Sequence, residues 1–299
     1  KQVMLCGLSG TGKTQIINGI LKNLPHSEYM HMNINMNFYT SGTVLMSNLE
    51  SVLQKQTSTT FGPPGGHRMV YFIDDLNLPF VDPYNTQSAI SLLRQHCDYE
   101  HWYDMSKFTI KGIKNCQYLA AMNPTAGSFV IDPRLQRWFT TFATPMPNMT
   151  SLTQIFQTFL EGHTHVGFIE DIHALVPNMI KGTLAVHKEV TENFRKTAAN
   201  FHYEFSIRHL ANVFKGLLMS ETSFFPSPDK FAALFIHEAE RVYGDRLVSP
   251  AHLTEYLKLA KDTGKKFFKD LDQGQVFPNP HIFCNCWKDL DEKSYNKVD

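Results

Sequence analysis

Excess charge of either sign is missing from this chain of 299 residues. Lys and Arg number 28, Asp and Glu number 28, and the formal net charge is zero. With no overall basic field to coat a polyanion, nucleic acid is not expected as a partner. Long hydrophobic runs are lacking too. None approaches the roughly 18 residues of a membrane-spanning helix, so no membrane partner is expected. Cysteine is scarce, at 5 residues, and the thiols read as reduced and intracellular. Internal repeats and low-complexity tracts are absent. An apolar fraction of 42% is too high for a disordered chain.

Metal motifs are incomplete. His281, Cys284 and Cys286 offer at most three ligands and lack a second Cys pair. His163 and His165 read as a solvated loop, and His237-Glu238 lacks the second His of a zinc-protease helix. Cys97 reads as a lone packed thiol. Both ends of the chain read as interior points of a longer polypeptide.

Alternation is what the first half contains. Short apolar runs at 3–6, 69–73 and 118–122 suit buried strands of a parallel sheet. Helix-like stretches at 15–24, 44–53 and 88–97 lie between them, which indicates an α/β fold with a parallel sheet flanked by helices. After Pro145 and Pro147 the pattern changes. Helical periodicity then dominates, as at Leu210, Val213, Phe214, Leu217 and Leu218. Two domains are expected, an α/β part over 1–149 and an all-α part over 150–299.

The segment Gly7-Leu8-Ser9-Gly10-Thr11-Gly12-Lys13-Thr14 fits the phosphate-binding pattern G-x-x-x-x-G-K-[ST]. Gly7, Gly10 and Gly12 let the backbone turn tightly, and with Thr11 they present N–H groups to phosphates. The following helix aims its positive end at the same anion. Lys13 would reach the β- and γ-phosphates of ATP or ADP, and the Thr14 hydroxyl would ligate Mg²⁺.

The run 69–73 ends in two carboxylates. Asp74 would orient the Mg²⁺ shell, and Asp75 would activate the attacking water. Asp is one methylene shorter than Glu, so its carboxylate sits roughly 1.5 Å back. A displacement of about 1 Å can cost a hundredfold in rate, and slow hydrolysis is expected. Asn123, closing the third apolar run, would polarise or place that water. Arg134 and Arg137 lie three apart and would stabilise charge on a neighbouring module's nucleotide. Arg208 opens an amphipathic helix and would fold onto the phosphates.

These elements, in this order, resemble the AAA+ ATPases, a phosphate-loop fold with a helical lid. Phe72-Ile73-Asp74-Asp75-Leu76-Asn77, His101-Trp102-Tyr103-Asp104, Asn123-Pro124-Thr125-Ala126-Gly127-Ser128-Phe129 and Phe205-Ser206-Ile207-Arg208-His209-Leu210 resemble dynein heavy chains. The likeness is to the third module of axonemal, outer-arm chains. It implies a regulatory nucleotide switch that gates the main ATPase site of a microtubule motor in the cytoplasm, on the cytoskeleton of a ciliary or flagellar axoneme. The implied partners are neighbouring AAA+ modules of the same chain. Microtubules, intermediate chains and light chains would be reached only through the full motor. Arg134 would serve the preceding module's site, and the following module would supply the arginine for this one. A structural ring module without turnover, and a freestanding phosphate-loop enzyme, remain as alternatives.

Overall fold

The structure is a computed structural model that describes residues 1–125, 131–277, 282–284 and 296–297. The chain divides into two compact units, Lys1–Met146 and Pro147–Asp299.

In the first unit the elements run β1 (Gln2–Cys6), α1 (Lys13–Lys22), β2 (Tyr29–Asn35), α2 (Gly42–Glu50), β3 (Gln54–Lys55), β4 (Thr60–Gly62), β5 (Arg68–Asp74) and α3 (Ser88–Tyr99). Then come β6 (His101–Tyr103), β7 (Ile110–Ile113), β8 (Cys116–Met122), α4 (Pro133–Gln136) and β9 (Phe139–Ala143). Five strands form one parallel sheet in the order β2-β5-β8-β1-β9. Helices cover both of its faces, so β5 is apolar without alternation. Met69, Tyr71 and Ile73 pack with Leu45 and Leu49 of α2 and with Ile90 and Leu93 of α3. Val70 and Phe72 pack on the opposite face with Ile17 and Leu21 of α1. Met36 is buried, and Met30, Met32 and Met46 pack against the first of these clusters.

A second sheet, in the order β3-β4-β7-β6, was not apparent from the sequence. Its strands of two to four residues are too short to show a period. The segment 61–66 supplies part of β4 and a 3₁₀ turn at Pro64–Gly66. Trp102 of β6 is fully buried, and its indole N–H donates to Glu50 Oε1 at 2.7 Å. Lys111 pairs with both Glu50 (3.1 Å) and Asp104 (3.0 Å).

The second unit contains α5 (Met149–Thr164), α6 (Glu170–Asn193), α7 (Ile207–Leu217), α8 (Pro228–Tyr243), α9 (Pro250–Phe267) and α10 (Gln273–Val276). Two-residue strands β10 (Phe283–Cys284) and β11 (Asn296–Lys297) pair with each other. Its core joins Phe156, Leu160, Val176, Ile180, Leu210, Phe214, Phe231 and Phe235. The rings of Phe156 and Phe214 stack at 4.3 Å. The buried positions of α7 are Leu210, Val213, Phe214, Gly216 and Leu217, the apolar stripe of its period. Of the pair read as a solvated loop, His165 is exposed in the turn just past α5, and His163 is placed differently. His163 lies in the last turn of α5 with its Nε2 3.1 Å from both oxygens of Ser220, and Thr164 is fully buried. His281 and Cys286 lie outside the described residues.

Candidate nucleotide site

Strand order positions the site. In the sheet β8 lies between β5 and β1, so the chain segments after all three emerge at one edge. The register confirms the alignment, with Cys6 opposite Met122 and Ile73 opposite Ala120. In open parallel sheets the crevice at the carboxyl ends, where the strand order reverses, is where ligands are held. The loop after β1, Asp74 and Asp75 at the end of β5, and Asn123 after β8 therefore come together.

The loop's glycines have separate tasks. Gly10 and Gly12 have φ of 84° and 85°, the left-handed region where a side chain is strained. A Cβ on Gly7 would collide with the main-chain oxygen and hydroxyl of Thr144. Thr144 also donates to the Cys6 carbonyl at 3.1 Å. It thus walls one side of the loop, a role that no local sequence signal revealed.

Helix α1 begins on Gly12 with no side-chain cap. Its first-turn N–H groups have no intrahelical acceptors, which leaves donors and a positive helix end available to an anion. Lys13 is buried, and its ammonium donates to the carbonyls of Gly7 and Leu8, both at 2.8 Å. Thr11 Oγ1 donates to the Leu8 carbonyl at 3.0 Å. The Thr14 hydroxyl donates to Asp74 Oδ2 at 2.8 Å. A hydroxyl and a carboxylate held together are a hard-oxygen pair suited to Mg²⁺. With Lys13 and the uncapped helix end beside them, the residues present fit a magnesium nucleotide.

Asp75 is exposed and sits at φ 55°, a conformation Asp tolerates better than most side chains. Its backbone N–H donates to Asp74 Oδ1 at 3.1 Å, so the chain turns sharply between the two carboxylates. Asn123 Oδ1 accepts from the Thr125 N–H (3.1 Å) and hydroxyl (2.9 Å). Its carbonyl accepts from Asn77 Nδ2 at 2.9 Å. Asn77 is buried and ties the turn after β5 to the end of β8. This link runs across 46 positions of sequence, and the sequence reading missed it. Residues 126–130, part of the Asn-Pro-Thr-Ala-Gly-Ser-Phe string, lie outside the described residues.

The arginines separate. Arg134 is exposed in α4, with no side-chain hydrogen bond or ion pair among the described residues. Arg137 Nη2 is bound to Asp98 Oδ1 at 2.7 Å. That hydrogen bond holds the Asp98 carboxyl below the usual carboxylate range. Arg208 belongs to the second unit, exposed in the first turn of α7. There Ser206 and His209 form a capping box. The thiol of Cys97 is pushed up to about 12 by burial and by Asp98, as suits a packed and unreactive side chain.

Two family models match. Residues 1–147 match the P-loop containing dynein motor region, and residues 179–277 match the AAA+ lid domain. The dynein alpha chain of the flagellar outer arm from Chlamydomonas reinhardtii is 46% identical over 303 aligned residues, with 100% of this chain and 7% of that protein covered. Dynein axonemal heavy chain 17 of Mus musculus is 41% identical, over 99% of this chain and 7% of its own length. A ciliary dynein beta chain of Tripneustes gratilla is 40% identical, over 100% and 7% respectively. The chain therefore spans about 7% of the length of these relatives. A parallel sheet ending in a phosphate loop, a helical second unit and these matches lead to one assignment: the chain belongs to the AAA+ motor region of the axonemal dynein heavy-chain family.

Proposed function

We propose that this chain is a nucleotide-binding regulatory module, the third of the AAA+ ring of an axonemal heavy chain. It binds ATP or ADP with Mg²⁺ and gates the main ATPase site of the microtubule motor, with slow or neighbour-dependent hydrolysis of its own. The observation that carries the reading is the 2.8 Å hydrogen bond between Thr14 and Asp74, which joins the two expected Mg²⁺ ligands beside the uncapped start of α1.

In this reading Lys13 and the N–H groups of Gly10, Gly12 and Thr14 hold the phosphates. Thr14 and Asp74 hold the ion, which supplies charge neutralisation at the phosphates when bound. Asp75 takes a proton from water that Asn123 helps to place. Arg208 adds a positive charge from the lid, and the following module supplies the arginine for this site. Arg134 faces the site of the preceding module. Neighbouring modules are the direct partners. Microtubules, intermediate chains and light chains are reached through the rest of the motor, in the axoneme of a cilium or flagellum.

A calorimetric titration with Mg-ADP and Mg-ATP tests the core of this proposal, with Lys13→Ala as the control. Micromolar binding that the variant loses is the expected result. Affinity unchanged within about threefold, ~0.6 kcal/mol, would end the assignment of Lys13. One observation favours a second reading, a structural module without turnover. Asp75 is short and exposed, with its backbone at positive φ. Hydrolysis measured with and without the neighbouring modules separates the two readings.

A further inference from the structure

Helix α4 is a single turn, and an isolated turn has no stability of its own. Three features hold it. The Asp132 side chain accepts from the Arg134 N–H at 2.9 Å. Leu135 is fully buried. Beyond the turn, Arg137 Nη2 and Trp138 Nε1 both donate to the same oxygen of Asp98, at 2.7 and 2.6 Å.

Asp98 is in an unusual place for an acid. It lies in the last turn of α3, where the helix dipole opposes negative charge. Its side chain is only 9% exposed, and on its own helix it meets only Arg94, at 4.0 Å. Its stabilisation therefore comes from the Arg137 and Trp138 side, through two short, charge-assisted hydrogen bonds. Arg134, three residues before Arg137, is left exposed.

We propose that Asp98 is a positioning residue that clamps the α4 turn onto α3 through Arg137 and Trp138, and so fixes Arg134 for the nucleotide of the preceding module. The proposal rests on the reading of Arg134 as the arginine offered to that module. It makes Arg137 part of the clamp and not a second phosphate contact.

The test uses the full-length heavy chain. Its readout is the preference of the preceding module's site for Mg-ATP over Mg-ADP, beside the ADP affinity of this chain's own site. Arg134→Ala is expected to lower that preference about tenfold, as one lost charged contact does. Asp98→Ala is expected to lower it at least fivefold, and the double variant no further than Arg134→Ala alone. Asp98→Asn keeps an oxygen that accepts from both donors and is expected to restore most of the preference. This chain's own ADP affinity stays within twofold throughout. A silent Arg134→Ala would remove the inter-module reading and the clamp with it. An effective Arg134→Ala with a silent Asp98→Ala, or losses that add in the double variant, would overturn the clamp alone. An equal loss at this chain's own site would also overturn it, because Asp98 would then support the whole unit.

Discussion

Thr14 Oγ1 and Asp74 Oδ2 stand 2.8 Å apart, although 60 positions separate them in the sequence. The bond links the first turn of α1, the helix that follows β1, to the last residue of β5, two strands over in the sheet. It brings together two hard oxygens that a divalent ion would share. Removing the hydroxyl should therefore act through the ion. Thr14→Ala is expected to leave metal-free ADP binding within threefold and to cut the affinity gained on adding Mg²⁺ by about tenfold, ~1.4 kcal/mol. Titrations with and without Mg²⁺ measure both quantities. An undiminished Mg²⁺ gain would take Thr14 out of the ion's shell.

Asp75 should govern rate and not affinity. The residue is exposed beyond the strand end, and in the proposed reading it acts as a water-activating base rather than a phosphate clamp. Asp75→Asn removes the base and keeps the shape. It is expected to slow single-turnover hydrolysis in the intact heavy chain by at least about thirtyfold, ~2 kcal/mol, with ATP affinity within threefold. Asp75→Glu extends the carboxylate by roughly 1.5 Å and is expected to speed hydrolysis. Equal losses of rate and affinity in Asp75→Asn would show that the carboxylate shapes the site instead.

Acid should weaken the second unit, and His187 supplies the reason. Its Nδ1 and the Tyr243 hydroxyl share a hydrogen bond of 2.9 Å. Burial first, then the His209 charge, holds the imidazole down at about 4. Burial also lowers His163 and His209 in the same unit. An unfolded His titrates near 6.5, so between these values the unfolded chain binds more protons than the folded one. The stability is fully present above about pH 6.5 and is lost as pH falls from there toward 4. At pH 5 the His187 share of the loss is about 2 kcal/mol, at roughly 1.4 kcal/mol per pH unit. Thermal unfolding at pH 7.5 and 5 is expected to show the drop. His187→Asn, which keeps an acceptor but does not titrate, should shrink it by about that amount. An unchanged drop would place the sensitivity in other histidines.

How much of this was legible follows from what each signal needs. The strands β1, β5 and β8 and the phosphate loop were readable because central parallel strands are buried on both faces and leave continuous apolar runs. The edge strands were not. Tyr29–Asn35 mixes His and Asn among its apolar residues, and Phe139–Ala143 is mostly exposed. The helices expected at 15–24, 44–53 and 88–97 are α1, α2 and α3, with ends displaced by a few residues, since caps depend on local geometry. At the site, Gly7 to Thr14 and Asp74 form contiguous motifs. The placing of Arg137 depends on Asp98, 39 positions away, and no local pattern reveals such a pairing. The turn at Asn123 could have been read, since Asn followed two residues later by Thr suits a side-chain-to-backbone bond of this type.

The last prediction concerns a glycine kept for space. Gly216 lies in α7, where Gly is unfavourable to the helix. A Cβ there would run into the Glu238 side chain of α8. Glu238 has no room to yield, because it is fully buried and Arg241 binds it through both Nε and Nη2. On propensity alone Gly216→Ala should stabilise the helix by roughly 1 kcal/mol. The collision should outweigh that gain, and a net loss of about 2–3 kcal/mol is expected, as for other overpacked cores. Shortening the obstacle should reverse the sign. In a Glu238→Ala background the new methyl group has space, and the helix preference then acts unopposed. The double variant should therefore exceed the sum of the single changes by about 3–4 kcal/mol, a coupling found only between residues that touch. Urea unfolding of the four proteins measures it, provided the slopes agree. Additive effects would mean that α7 and α8 can separate at this point, so that Gly216 is not there to admit the carboxylate.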